Sequence, residues 1–379
     1  MDLICFSHLR WNFVFQRPQH LMTRFSLNRR VYYVEEPIFD SIKNEYAILQ
    51  DPDYNNIFIV VPHITPDTPL SERSLILKKL MDSLIINENI GSFFSWYYSP
   101  MALAWTDHLD SALIVYDCMD ELSAFKFAPT DLKNIEKDLM NRADVVFTGG
   151  RSLFEAKKTL HANIFCFPSS IDKEHFSQAR TILWEPADQQ AIPPPRLGFF
   201  GVIDERLDID LIDKLAAARP DWHIVLVGPV VKIDPAMLPQ KDNIHYLGGK
   251  NYKELPAYLA GWDIAILPFA KNESTQFISP TKTPEYLAGG KPVISTSITD
   301  VVNPYGINGL VEIADTAEEF IGAAEKLLGE DSGDQRTIKA DHFLANISWD
   351  ITYKEMAEVL EQTLKSKTIS ITLKKPQHV

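Results

Sequence analysis

Short apolar runs alternate with amphipathic stretches along almost the whole chain. The runs LICFS (3–7), VYYVEEP (31–37), NIFIVVP (56–62), SFFSWYYSP (92–100), SALIVYDCMDE (111–121), DVVFTGG (144–150) and NIFCFPSSID (163–172) are rich in β-branched and aromatic residues. This is the pattern of strands buried on both faces. Between them, LSERSLILKKLMDSLIIN (70–87), TDLKNIEKDLMNRA (130–143) and RSLFEAKKTL (151–160) read as helices. Strands alternating with helices predict parallel βαβ units and a doubly wound α/β sheet.

The alternation breaks at WEPADQQAIPPPR (184–196), a proline-rich, polar stretch that predicts a semi-rigid linker and a hinge. Beyond it the alternation restarts with LGFFGVI and runs on to a final amphipathic helix, WDITYKEMAEVLEQTLKS (349–366). The tail KTISITLKKPQHV is expected to be partly disordered. The predicted organisation is a first Rossmann-like domain over 1–183, a linker over 184–196 and a second Rossmann-like domain over 197–348.

Composition narrows the picture. A chain of 379 residues suits two cores. No run reaches the roughly 18 apolar residues of a membrane helix. An acid at position 2 and no cleavage-site pattern predict no signal peptide. Three scattered cysteines, Cys5, Cys118 and Cys166, suggest a reducing, cytoplasmic setting without a disulfide framework. A formal charge of −14 argues against a nucleic-acid partner. Arg10, Arg17, Arg24, Arg29 and Arg30 nevertheless crowd the first thirty residues against Asp2. They read either as a basic patch for peripheral contact at the inner membrane face or as a solvated helix face, and both readings stay open.

Two such domains leave a cleft at the carboxyl ends of their strands, where open α/β sheets bind ligands. Three stretches of the second half occur in a telling order: LGFFGVIDERLDIDLI, NIHYLGGKNYKELPAYLAGWDIAILPF and SPTKTPEYLAGGKPVIST (279–296). Together they resemble the donor-binding domain of GT-B glycosyltransferases, especially those of the family-four type that build bacterial surface polysaccharides. FSHLRWNFVFQRPQHLM and VYDCMDE in the first half resemble the acceptor-side domain of such enzymes. One departure is evident. The resemblance calls for two glutamates eight positions apart, and eight residues before Glu285 stands Phe277, which leaves the stereochemical outcome open. The resemblance also implies that the final helix crosses back to the first domain. Trp349, Ile351, Met356, Val359 and Leu360 give it an apolar stripe for that purpose.

Within this frame the residues take roles. A helix beginning near Thr283–Pro284 presents free N–H groups to an anion. Thr281 and Thr283 flank its start, Lys282 adds a charge for a diphosphate, and Glu285 can accept two ribose hydroxyls. Arg206 would compensate the leaving diphosphate, with Gly201 letting phosphate approach the backbone. The alternative for Arg206 is a surface pair with Asp204 or Asp208. Backbone around Tyr246–Gly248 would hold a uracil or guanine base and Tyr252 would stack on it, unless Tyr252 only packs a helix entry. Asp117 and Asp120 are the candidate bases for an acceptor hydroxyl, with Asp120 as a helix cap the alternative. His8, Arg10 and Arg17, with Trp11, Phe13 and Phe15, would bind a sugar acceptor, unless that loop is simply packed. DERLDID and DPD (51–53) sit in polar turns, so a metal-independent enzyme without a further cofactor is expected.

The expected activity is transfer of a sugar from a UDP- or GDP-sugar to a saccharide or lipid-linked acceptor. A sugar-nucleotide epimerase of the same fold and a non-catalytic sugar-nucleotide binder remain as alternatives. Hydride transfer is disfavoured, because FSHLRWN rather than G-x-G-x-x-G follows the first strand.

Overall fold

The computed structural model describes residues 1–330 and 333–374. Eight strands form the first sheet: β1 (Asp2–Phe6), β2 (Val31–Val34), β3 (Glu45–Gln50), β4 (Ile57–His63), β5 (Phe93–Tyr97), β6 (Leu113–Cys118), β7 (Val145–Thr148) and β8 (Ile164–Cys166). Their order is β3-β4-β2-β1-β5-β6-β7-β8, and every pair is parallel except β3 with β4. The second sheet holds β9 (Arg196–Phe200), β10 (His223–Val227), β11 (Ile244–Gly248), β12 (Ile264–Leu267), β13 (Val293–Ser295) and β14 (Glu312–Ile313). Its order is β11-β10-β9-β12-β13-β14. The strand order reverses at β1 in one sheet and at β9 in the other, and the loops leaving those two strands face a common cleft.

The expected strands form because their residues are buried on both faces. Leu3, Ile4, Cys5 and Phe6 of β1 and all of β12 are almost fully buried. β3 is an addition to the expected set. It is an exposed edge strand whose sequence, EYAILQ, shows neither a continuous apolar run nor clean alternation. The arginine-rich start does hold a helix, Arg17–Phe25, but a buried one rather than a solvated face. It buries Gln19, His20 and Thr23, which a polarity pattern places outside. Gln19 is accommodated by donating to the Trp11 carbonyl, and Thr23 by donating to the Gln19 carbonyl.

The proline-rich stretch is not a free linker. Residues Ala187–Gln190 form a short helix. Gln189 is fully buried, donating to the Tyr258 carbonyl and accepting from Trp262 Nε1. Ile192 sits in the second core, and so do Ile171, Phe176 and Ala179. The chain therefore passes between the domains soon after β8, ahead of the expected boundary at 183. It returns just before Trp349, whose N–H donates to the Ile171 carbonyl at 3.1 Å, so the two crossings lie side by side.

The final helix runs Trp349–Lys374, longer than the predicted 349–366, and residues 375–379 of the tail lie outside the described residues. Trp349, Met356 and Leu360 are buried in the first domain's core, with Val359 packed against it. Side chains such as Met356 and Leu360 contribute about 1.5–3 kcal/mol each when buried. Arg24–Asp350 and Lys367–Asp144 ion pairs fasten the helix along its length. Between the domains, Asp300 of the second accepts from Arg151 N and Ser152 N at the start of a first-domain helix. Ser169 Oγ donates to the Ser279 carbonyl.

Candidate active site

On the second-domain wall the chain leaves β9 and β10 through Gly201 and Gly228, both at positive φ. A Cβ on Gly228 would collide with the Gly201 carbonyl, and a Cβ on Gly201 would collide with the Lys282 side chain. Glycine is therefore required where Lys282 crosses the end of β9. Lys282 opens the helix Lys282–Ala288, which ends at Gly289. Burial lowers the pKa of its ammonium, while Glu285 raises it. Glu285 is 6% exposed, and burial pushes its pKa up to about 7 although Lys282 pulls it down. Arg206 reaches the cleft held by Asp204, which takes its Nη2 at 2.7 Å and its Nε at 3.0 Å.

On the first-domain wall, Asp120 follows β6. Burial raises its pKa, opposed first by Arg206. The loop Trp11–Gln16 lines the cleft beside it. Trp11 fixes that loop, donating its N–H to Glu35 and its Nε1 to Asp51, both at 2.7 Å.

The cleft measures about 1070 Å³ and is lined by six carboxylates and six cationic side chains. Most of these charges are occupied. Asp51 accepts from Trp11, Asp172 from His175 N, Asp53 pairs with Lys253 and Asp350 with Arg24. Arg17 pairs with Asp117, Arg206 with Asp204 and Lys250 with Asp188. Among the described residues, three charges lining the cleft make no hydrogen bond or ion pair: Lys282, Glu285 and Asp120. Unpaired charges at a buried, pre-shaped cleft are costly to a fold and useful to a ligand. No group of three or more His, Cys, Asp or Glu side chains is arranged to hold a metal among the described residues.

Comparison with known proteins points the same way. Residues 194–330 match the family described as Glycosyl transferases group 1. Over 291 residues the chain is 29% identical to TuaH of Bacillus subtilis (strain 168), named as a teichuronic acid biosynthesis glycosyltransferase, covering 71% of this chain and 67% of that one. This chain is thus similar to glycosyltransferases over its second domain and, in sequence, over most of its length. Its fold is that of Anabaena HepE in complex with UDP and glucose (TM-score 0.68, 17% identity, 95% of this chain and 99% of that chain). It is equally that of sucrose-phosphate synthase from Thermosynechococcus elongatus (TM-score 0.68, 13% identity, 97% and 100%).

The structure gathers Asp120, Gly201, Arg206, Tyr252, Thr281, Lys282 and Glu285 around one cleft. Several expected residues stand elsewhere. Asp117 is fully buried inside β6 and is gripped by Arg17, whose Nη2 donates at 2.8 Å and whose Nε contacts both oxygens at 3.1 Å. It does not line the cleft, whereas Arg17 does, with its guanidinium committed to Asp117 and to the Phe167 carbonyl. His8 and Arg10 do not line the cleft: burial lowers the His8 pKa to about 4, and Arg10 pairs with Glu35. With Arg24 on Asp350 and Arg30 on Asp2, four of the five N-terminal arginines are engaged by carboxylates, so the basic patch dissolves into ion pairs.

Thr283 is fully buried beneath its helix. Tyr246 turns away and donates to the Pro239 carbonyl. Gly248 accepts from Gly228 N through its carbonyl, and the backbone that meets the cleft is Gly249–Asn251. Tyr252 is ringed by aromatics, stacked on His175 (4.4 Å) and tilted on Phe15 (4.7 Å), with His20 and Phe176 edge-on. This is the packing alternative rather than an open platform for a base. Asp172 was missed. It lines the cleft and caps the helix Lys173–Ser177, and its charge contributes to the raised pKa of Glu285. Its signal was the aspartate directly before KEHF, an N-cap pattern.

Proposed function

We propose that this chain is a glycosyltransferase that binds a UDP- or GDP-sugar on its second domain and delivers the sugar to an acceptor hydroxyl held against the first, in the synthesis of a cell-surface polysaccharide. The observation that carries this is the set of three unpaired charges. Lys282, with Arg206 beside it, meets the diphosphate and stabilises the charge that grows on it as the glycosidic bond breaks. Glu285, ionised, accepts the two ribose hydroxyls. Asp120 accepts the proton of the attacking hydroxyl, and its raised pKa suits it to that task near neutrality. No metal ion is needed for the leaving charge, because a lysine and an arginine already supply it.

The name of TuaH and the UDP bound to HepE support the substrate classes. The acceptor is a saccharide or a lipid-linked saccharide. No helix of the described residues is long and apolar enough to cross a membrane, so a lipid-linked acceptor would be met peripherally, at the inner face. A panel of UDP- and GDP-sugars, assayed for nucleoside diphosphate release with and without saccharide acceptors, tests the reading. Acceptor-stimulated release with at least one donor supports it. Epimerised donor without transfer, or binding without any turnover, would replace it by one of the two alternatives.

A further inference from the structure

The loop that carries Asp120 has an unusual support. From Met119 to Asp131 every residue is half-buried or exposed, and among them Met119 packs against the first domain's core, so apolar packing holds the start of the loop but not the stretch that follows Asp120. Behind the loop lies a separate pocket of about 450 Å³, bordered by Glu121, Ser123, Glu136, Lys157, Glu273 and Phe277. The loop's rear is thus partly hollow. What crosses it is ionic. Lys157, 5% exposed at the end of the helix Arg151–Lys157, places its Nζ 2.7 Å from Glu121 and 2.9 Å from Glu136. Ser123 Oγ donates to the other Glu121 oxygen at 2.6 Å. Glu136 is itself fixed by the Tyr116 hydroxyl, which donates to it at 2.7 Å from within β6.

At its far end the loop leans on the other domain. The Phe125 ring lies under Arg206 at 5.5 Å and under Lys232 at 5.3 Å, and Lys126 N donates to Glu205 at 3.2 Å. Asp120 therefore sits between Met119, packed on the first domain's core, and the ionic anchor at Glu121, upstream of a second-domain contact. Burial would lower the pKa of Lys157, but Cys118, Glu136 and Glu121 around it raise it, so the anchor stays charged throughout the working range.

We propose that Lys157 is a positioning residue: by holding Glu121 against Glu136 it fixes the loop that aims Asp120 at the acceptor hydroxyl. Lys157 touches no substrate and acts through its neighbours. The inference rests on the reading of Asp120 as the base. Without the ammonium, two adjacent carboxylates repel and Glu121 leaves its seat. Downstream of Asp120 the loop then leans on the second domain alone, and a misplacement of about 1 Å at a reacting group can cost about 100-fold in rate.

The test uses the full chain with the donor and acceptor that turn over in the panel above. Wild type, Lys157→Met, Lys157→Arg, Glu121→Gln and Asp120→Asn are compared for kcat, acceptor KM, donor Kd and thermal unfolding. Lys157→Met and Glu121→Gln should lower kcat by about 10- to 100-fold with donor Kd unchanged, and Lys157→Arg should recover most of the loss. Glu121→Gln keeps the Lys157–Glu136 pair and so remains informative where Lys157→Met does not fold. Wild-type kcat in Glu121→Gln overturns the inference. So does a Lys157→Met variant that loses donor binding and transfer in step with its stability and is not matched by a loss in Glu121→Gln. If Asp120→Asn transfers at the wild-type rate, it is the assignment of the base that fails. If Asp120→Asn is slow while both anchor variants are fast, the anchor alone fails.

Discussion

Replacing Glu285 by glutamine should make the free protein more stable and its donor complex weaker. The carboxylate is 6% exposed and makes no hydrogen bond among the described residues. Burial lifts its pKa from the ordinary 4.5 to about 7. The unfolded chain releases this proton near the ordinary value and the folded chain only near 7, so the folded state loses stability as pH rises between them. A shift of that size corresponds to about 3 kcal/mol once both states are ionised. Glutamine removes the penalty. It also removes the anion that raises the Lys282 pKa, which takes back part of the gain, leaving about 1–3 kcal/mol at about pH 8 and little at about pH 5. Donor affinity moves the other way. A hydrogen bond to a charged acceptor is worth about 1.5–3 kcal/mol, so the variant should bind a nucleoside diphosphate about 10- to 100-fold more weakly. Urea unfolding of both proteins at the two pH values, with calorimetric titration of UDP and GDP, measures both signs. A variant less stable than wild type at about pH 8 would mean that Glu285 and Lys282 form a stabilising pair, and the picture of charges held open for a ligand would be wrong.

Donor binding by wild type should weaken as pH falls through about 7 and Glu285 takes up its proton; an affinity flat between about pH 8 and pH 5.5 in calorimetry contradicts this assignment. Asp120→Asn should keep its donor affinity and thermal stability while slowing transfer by about 100-fold or more in an initial-rate assay. Asp117→Asn should instead destabilise the fold by about 3–5 kcal/mol in denaturant titration, because it leaves the Arg17 guanidinium buried without its anion. Turnover should survive EDTA, and a loss restored by magnesium or manganese would show that Lys282 and Arg206 do not suffice for the leaving charge.

Most of the two sheets could be read from the chain because strands buried on both faces leave continuous apolar runs, as in LICF and IAIL. What failed to show was whatever depends on distant partners. Asp117 and Asp120 sit three residues apart at one strand end. Only Arg17, a hundred residues earlier in the chain, decides that Asp117 is a buried ion pair while Asp120 is left to the cleft. The buried face of the helix Arg17–Phe25 hid behind glutamine, histidine and threonine whose burial is made tolerable by hydrogen bonds invisible to a polarity pattern. The stretch 184–196 reads as a linker by composition, yet Gln189 and Ile192 are core residues of the second domain. Lys282 and Glu285 were legible because their spacing, the proline between them and the following double glycine together mark one helix start. Phe277 could be located by counting but not interpreted; its packing against the first domain's core depends on residues distant in the chain.

A crystal structure of the chain with a bound nucleoside diphosphate tests the central claim most directly. The account predicts the diphosphate against Lys282 and Arg206 at the end of β9, both ribose hydroxyls on the Glu285 carboxylate, and Asp120 across the cleft with its carboxylate free for an acceptor. A nucleotide seated away from Lys282, or a ribose whose hydroxyls turn from Glu285, would contradict it.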